Sequence, residues 1–233
     1  MLPAFRDTRI AEPAASYGDF NKGRRMRALI VTNLQGDYLP GGPVAVPGAD
    51  ELSGIANSLL PKFDVTVAVR DWHPPDHASF AANHEAGRSG DMVFSDDARA
   101  PEIRLWPIHC LRGTRGAEFD DDFDIDDVQH IVELGSNPAV DAWSAFRDQA
   151  GDDTGLASWL KARDVNEVFV MGVPLEYHVA QTALDAQAQG FTAAILTDAC
   201  RAAAAAAGVA ALDNLRQRGV ATVASSDLPG VGH

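Results

Sequence analysis

The sequence predicts an α/β protein: a doubly wound, mainly parallel six-stranded sheet with helices on both faces. Six short runs rich in Val and Ile are apolar nearly throughout, as strands buried on both faces must be. Between them lie segments with apolar spacing near 3.6, and strand alternating with helix implies right-handed crossovers and parallel neighbours. A chain of 233 residues suffices for one sizeable core, so one domain is expected over 26–233.

In chain order, residues 1–25 are mixed and polar, without clear period. They read as an N-terminal extension that lies on the surface or reaches a neighbouring subunit, and Met26 can itself serve as a start. RALIVTNL is the first strand, GADELSGIANSLLPKF the first helical segment and DVTVAVRDW the second strand. The stretch 74–128, with its Pro, Gly and acidic residues, is one elaborated connection; loops of that size usually carry function. QHIVELG follows as a strand, then DTGLASWLKARD as a helix and EVFVMGV as a strand. EYHVAQTALDAQAQG is the next helix, TAAILTDA the fifth strand, RAAAAAAGVAALDNLRQRG the last helix and VATVASSD the last strand. Gly or Asp stands close to the helix ends, where chains turn. The alanine run 202–207 fits a helix packed closely on the sheet.

Composition narrows the function. With 19 Lys+Arg against 33 Asp+Glu the formal charge is −14, so the average surface repels nucleic-acid phosphates and anionic lipid headgroups. No apolar run approaches the roughly 20 residues of a membrane span, and the N-terminus lacks a signal-peptide core. A cytoplasmic location is expected, with Cys110 and Cys200 as reduced thiols.

Ligands of doubly wound sheets bind beyond the carboxyl ends of the strands. There, Asp71 and His73 close the second strand two residues apart, so their side chains leave the same face. His77 and His109 add imidazoles in the long connection. Such a mixed nitrogen and oxygen set suits Zn²⁺, Mn²⁺ or Fe²⁺ better than Ca²⁺ or Mg²⁺. His84 and His130 have no such company and read as surface or loop residues.

The strings NLQGDYLPGGPVAVPGAD, RDWHPPDHASFAANH, WPIHCLRGTRGAEF, GSNPAVDAWSAF and GVPLEYHVAQTALDA, in this order, resemble nicotinamidases (pyrazinamidases) of the isochorismatase-like hydrolase superfamily. The resemblance runs from about Met26 to the last strand and implies the isochorismatase-like hydrolase fold. It implies Asp71, His73 and His109 as metal ligands, with His77 a fourth or outer member, and Tyr38, Trp106 and Trp143 as walls of an aromatic pocket.

It also implies a chemistry that this chain lacks the groups to perform. Members deamidate nicotinamide with a cysteine nucleophile, an aspartate that takes its proton and a nearby lysine, beside a divalent metal. Where a DxQxD motif is expected this chain has NLQGD, so Asn33 takes the place of the base while Gln35 and Asp37 match. A carboxamide cannot accept a thiol proton. Leu134 stands where the lysine of a KG pair is expected, and His178 where the cysteine enters the helix. Pro174 matches a residue whose backbone N–H holds the oxyanion after a typically cis bond; proline keeps the backbone shape but removes the donor. One such loss typically costs about 10² to 10³ in rate. The positive end of a helix disfavours an imidazolium, so His178 is expected to be neutral and to fill space or cap the helix.

The reading that follows is a catalytically inactive nicotinamidase-like protein that binds a small ring-containing amide or acid, His178 included among the binding residues, with a homo-oligomer expected. One alternative is a metal-dependent hydrolase in which activated water attacks and His178 or Asp37 moves protons. Another is a structural subunit of a hetero-oligomer.

Overall fold

The computed structural model describes residues 25–95, 97–100 and 102–228. Eight strands are present among them: β1 Met26–Thr32, β2 Val65–Asp71, β3 Met92–Phe94, β4 Glu102–Arg104, β5 His130–Leu134, β6 Val165–Gly172, β7 Thr192–Cys200 and β8 Ala221–Val223. Four α-helices accompany them: α1 Leu52–Leu59, α2 Leu156–Lys161, α3 Ala180–Ala188 and α4 Ala205–Gln217. Six strands form one sheet in the order β5-β2-β1-β6-β7-β8, and all five pairings are parallel. The apolar runs explain why: every residue of β1 from Ala28 onward is buried, as is every residue of β6 except Asn166, which leaves no face for water.

The chain winds outward from β1 in one direction and from β6 in the other. Their shared boundary is the topological switch point, where the carboxyl ends of β1, β2 and β6 open a crevice. Gly172 makes the β1–β6 contact possible at that point. Its φ is +116°, and a Cβ there would lie 2.1 Å from the Thr32 carbonyl oxygen.

Three details depart from the expected elements. The connection 74–128 contains an antiparallel pair, β3 with β4, too short to leave a readable period. The segment expected to be one helix from Glu176 begins instead as a π-turn over Leu175–Val179, with α3 starting at Ala180. α4 begins at Ala205, so Ala202, Ala203 and Ala204 precede it. The carboxylate of Glu176 accepts the N–H groups of Ala203 and Ala204 at 3.2 and 3.0 Å, supplying the acceptors that an alanine run cannot.

Of the expected extension, residues 1–24 lie outside the described residues; Arg25 donates to the buried carboxylate of Glu167 at 3.1 Å. Among the described residues no helix is long and apolar enough to cross a membrane. Cys110 and Cys200 are both free and buried. Burial pushes the Cys200 thiol up to about 12 and that of Cys110 well above its ordinary range.

Candidate functional site

The crevice collects side chains from five separated segments. Asp71 ends β2 and His73 follows it. The backbone N–H of His73 donates to the Cys110 carbonyl at 3.0 Å, and that of Arg112 to the His73 carbonyl at 2.9 Å, so His109 is stitched alongside. Asp71, His73 and His109 are all buried and each offers one ligand atom, all within 4.8 Å of one another. The His73 Nδ1 faces the Gly135 carbonyl at 3.1 Å and the His109 Nδ1 faces the Pro107 carbonyl at 2.9 Å. A carbonyl only accepts, so each Nδ1 donates, and in the neutral ring each Nε2 then keeps a lone pair for a metal. Those two Nε2 atoms lie 3.9 and 4.0 Å from Asp71 Oδ2. Burial and the neighbouring His73 keep His109 below the ordinary imidazole range, which suits a neutral ligand.

The NLQGD stretch holds this set in place. Gln35 Nε2 donates to the Asp71 carbonyl at 2.8 Å while its Oε1 accepts the Asp71 N–H at 2.8 Å, clamping the ligand's backbone from both sides. Asp37 Oδ2 accepts the Cys110 N–H at 2.7 Å, fixing the residue after His109. Tyr38 donates its hydroxyl to Asp71 Oδ2 at 2.6 Å. Gly135 completes the cradle: its φ is +63°, and a Cβ would lie 2.2 Å from His73 Cε1. Gly135→Ala is therefore expected to displace the His73 ring and destabilise the fold by about 2–5 kcal/mol, from a strained left-handed backbone plus overpacking. Chemical denaturation together with metal titration checks both effects.

His178 comes from the π-turn after β6. Its Nε2 lies 3.1 Å from Asp71 Oδ1, on the carboxylate oxygen opposite the one facing His73 and His109. This corrects two expectations. No side chain caps this turn, so His178 is not a cap. Nor does the helix end decide its titration: burial disfavours its charge, but Asp71 and the hydrogen bond to it outweigh burial and raise its pKa. In turn, burial would raise Asp71, yet His178 and the other two imidazoles hold it far below the carboxylate range. The adjacent carboxylate outweighs the diffuse field of the helix end.

Asn33 sits at φ +55° just past β1, a conformation Asn adopts more readily than most residues. Its backbone N–H donates to the Val69 carbonyl. Its carboxamide is fully buried, and neither polar atom has a partner among the described residues; the same holds for His178 Nδ1. Leu134 is buried in the apolar core at the end of β5, opposite Asp71 in the ladder. The Val173–Pro174 bond is cis.

Beside the metal-ligand set lies a cavity of about 230 Å³ whose walls include Tyr38, Trp106, His109, Trp143, Tyr177 and His178. Tyr177 stands edge-on to both tryptophans, with ring centroids 5.3 Å from Trp106 and 5.2 Å from Trp143. Buried Asp141 also lines it, accepting the Trp143 Nε1–H at 2.9 Å. The volume and apolar walls match a single-ring compound.

The family model described as Isochorismatase domain matches residues 27–227. The chain belongs to the isochorismatase family. Among its relatives, a nicotinamidase of Acinetobacter baylyi is 38% identical over 176 residues, spanning 75% of this chain and 81% of the relative. The structure of a nicotinamidase/pyrazinamidase of Acinetobacter baumanii is similar with a TM-score of 0.83 at 36% identity, covering 89% of this chain and 100% of that one. A pyrazinamidase of Pyrococcus horikoshii in complex with zinc is similar with a TM-score of 0.68 at 32% identity, covering 85% and 98%.

Within this isochorismatase-family chain, His77 stands apart from the other histidines of the site. Its ring packs on His73 at 4.3 Å between centroids, but its nitrogens face Ser79 Oγ at 2.7 Å and the Val140 carbonyl at 3.3 Å. Burial lowers its pKa to about 4, and it backs His73 rather than joining the triad. His84 bonds the Ala78 carbonyl and His130 stacks on Trp159, both away from the crevice. Tyr177 and Asp141 were not singled out from the sequence, although each lies within two residues of one that was.

Proposed function

We propose that this chain is a nicotinamidase-like protein that binds a nicotinamide-like ring compound beside a divalent metal without hydrolysing it. The observation that carries the reading is His178: where the resemblance implies a thiol, an imidazole is turned onto Asp71 at 3.1 Å. An imidazole so engaged forms no thioester. Around it, Asn33 offers no base, Leu134 no charge and Pro174 no N–H for an oxyanion. Asp71, His73 and His109 would hold Zn²⁺, Mn²⁺ or Fe²⁺, and their donor types and tautomers fit such an ion. When bound, the ion would supply a Lewis-acidic point for a ring nitrogen. The cavity between Trp106, Trp143 and Tyr177 supports a flat ring as the ligand.

The metal-water alternative has less support. Asp37, a candidate proton carrier, is tied to the Cys110 N–H, and the His178 Nε2 is committed to Asp71. The test is ammonia release from nicotinamide and pyrazinamide by zinc- or manganese-loaded protein, with a calorimetric titration of the same compounds. Binding without ammonia is expected. His178→Cys is expected to stay inactive, because Asn33 cannot take the thiol proton. Ammonia release that disappears on chelation and survives iodoacetamide would favour metal-activated water, and robust turnover by His178→Cys would refute this account of the site.

A further inference from the structure

The Asp71 carboxylate is divided between two tasks. Its Oδ2 faces the Nε2 atoms of His73 and His109 and accepts the Tyr38 hydroxyl, while its Oδ1 faces only one of the three imidazoles, that of His178. His178 is not among the residues whose ligand atoms all fall within 4.8 Å of one another. It bonds the carboxylate oxygen that the ligand set does not face. A carboxylate oxygen only accepts, so the proton of this hydrogen bond resides on His178 Nε2, and that nitrogen has no lone pair to give a metal.

Resting on the metal reading above, we infer that His178 is a positioning residue of the metal centre. Its Nε2–H holds the Asp71 carboxylate in the rotation that presents Oδ2 to the ion. With the backbone of Asp71 clamped by Gln35 and Oδ2 tethered by Tyr38, the remaining freedom of this ligand is rotation of the carboxylate about its last torsion. The hydrogen bond from His178 removes it. On this view the imidazole in the seat of the nucleophile serves affinity for the ion: the substitution that removes acyl chemistry adds an outer partner to a metal ligand. Outer partners of this kind are worth about 10- to 100-fold in metal affinity.

The test compares the full-length wild-type chain with His178→Leu, which fills the space without a donor, and His178→Gln, whose amide N–H can reach the same oxygen. Zinc affinity is read by competition with a chromophoric chelator, and coordination by the visible absorption of the cobalt-loaded proteins. Zinc affinity about 10- to 100-fold weaker in His178→Leu, mostly recovered in His178→Gln, with cobalt band positions unchanged in both, is the expected result. Equal or tighter zinc binding by a folded His178→Leu overturns the inference while leaving the metal reading intact. So does a cobalt spectrum altered as loss of a nitrogen ligand requires, since His178 would then be a ligand itself. A wild-type chain that takes up neither zinc nor cobalt overturns both.

Discussion

Asp71→Ala is expected to lower zinc affinity by more than about 100-fold, beyond what loss of an outer partner costs. The substitution removes the one anionic donor of the triad and leaves two imidazoles, a weak pair for a dication. It also strands the Tyr38 hydroxyl and the His178 Nε2–H, both of which point at this carboxylate. Each buried donor left without an acceptor costs about 1–3 kcal/mol, partly offset because a buried charge goes with the carboxylate. Asp71→Asn separates the effects: the amide oxygen can still accept one hydrogen bond, so folding is expected to survive while the ion is lost. Metal content after dialysis and urea unfolding of the stripped proteins measure the two. One full equivalent of metal retained by Asp71→Asn would remove Asp71 from the ligand set.

Gly172→Ala is expected to cost at least about 4 kcal/mol, in the exceptional range for a single methyl group. The added carbon would meet backbone, 2.1 Å from the Thr32 carbonyl oxygen and 2.9 Å from its nitrogen, and the φ of +116° is one that L side chains rarely adopt. Neither strand can give way, because β1 and β6 are central in the sheet and buried on both faces. Loss of soluble expression or a collapsed denaturation midpoint is the expected outcome. A variant within about 1 kcal/mol of wild type would mean that the β1–β6 junction is built differently at its carboxyl end.

The sheet was legible because its signal is local and repeated: runs such as RALIVTNL and EVFVMGV have a composition that only a twice-buried strand tolerates. The candidate metal set was legible for a related reason, since Asp71 and His73 share one face at a strand end and His109 falls in a recognisable motif. What stayed hidden depends on contacts across the fold. Nothing in NLQGD says that Gln35 grips the backbone of Asp71, or that Asp37 secures the residue after His109, until β1 lies beside β2. The direction in which His178 is shifted could not be read from the helix end alone, because its partner is 107 positions away in the chain. β3 and β4 were missed because three residues carry too little period to separate a strand from a loop. Tyr177 needed the π-turn to bring it between two tryptophans, and helical spacing alone does not foretell an extra residue in the first turn.

The crevice draws on stretches around residues 33–38, 71–77, 106–110, 141–143 and 172–178, so no contiguous fragment contains it. A captured ion would tie Asp71 and His73 to His109 across the longest connection in the chain, and through His178 to the other half of the sheet. Occupancy would then stabilise the closed arrangement of those halves by mass action, so that the bound ion resists their opening. Amide hydrogen exchange at the centre of β1 and β6 should slow in step with metal occupancy, while exchange at distant surface turns stays the same.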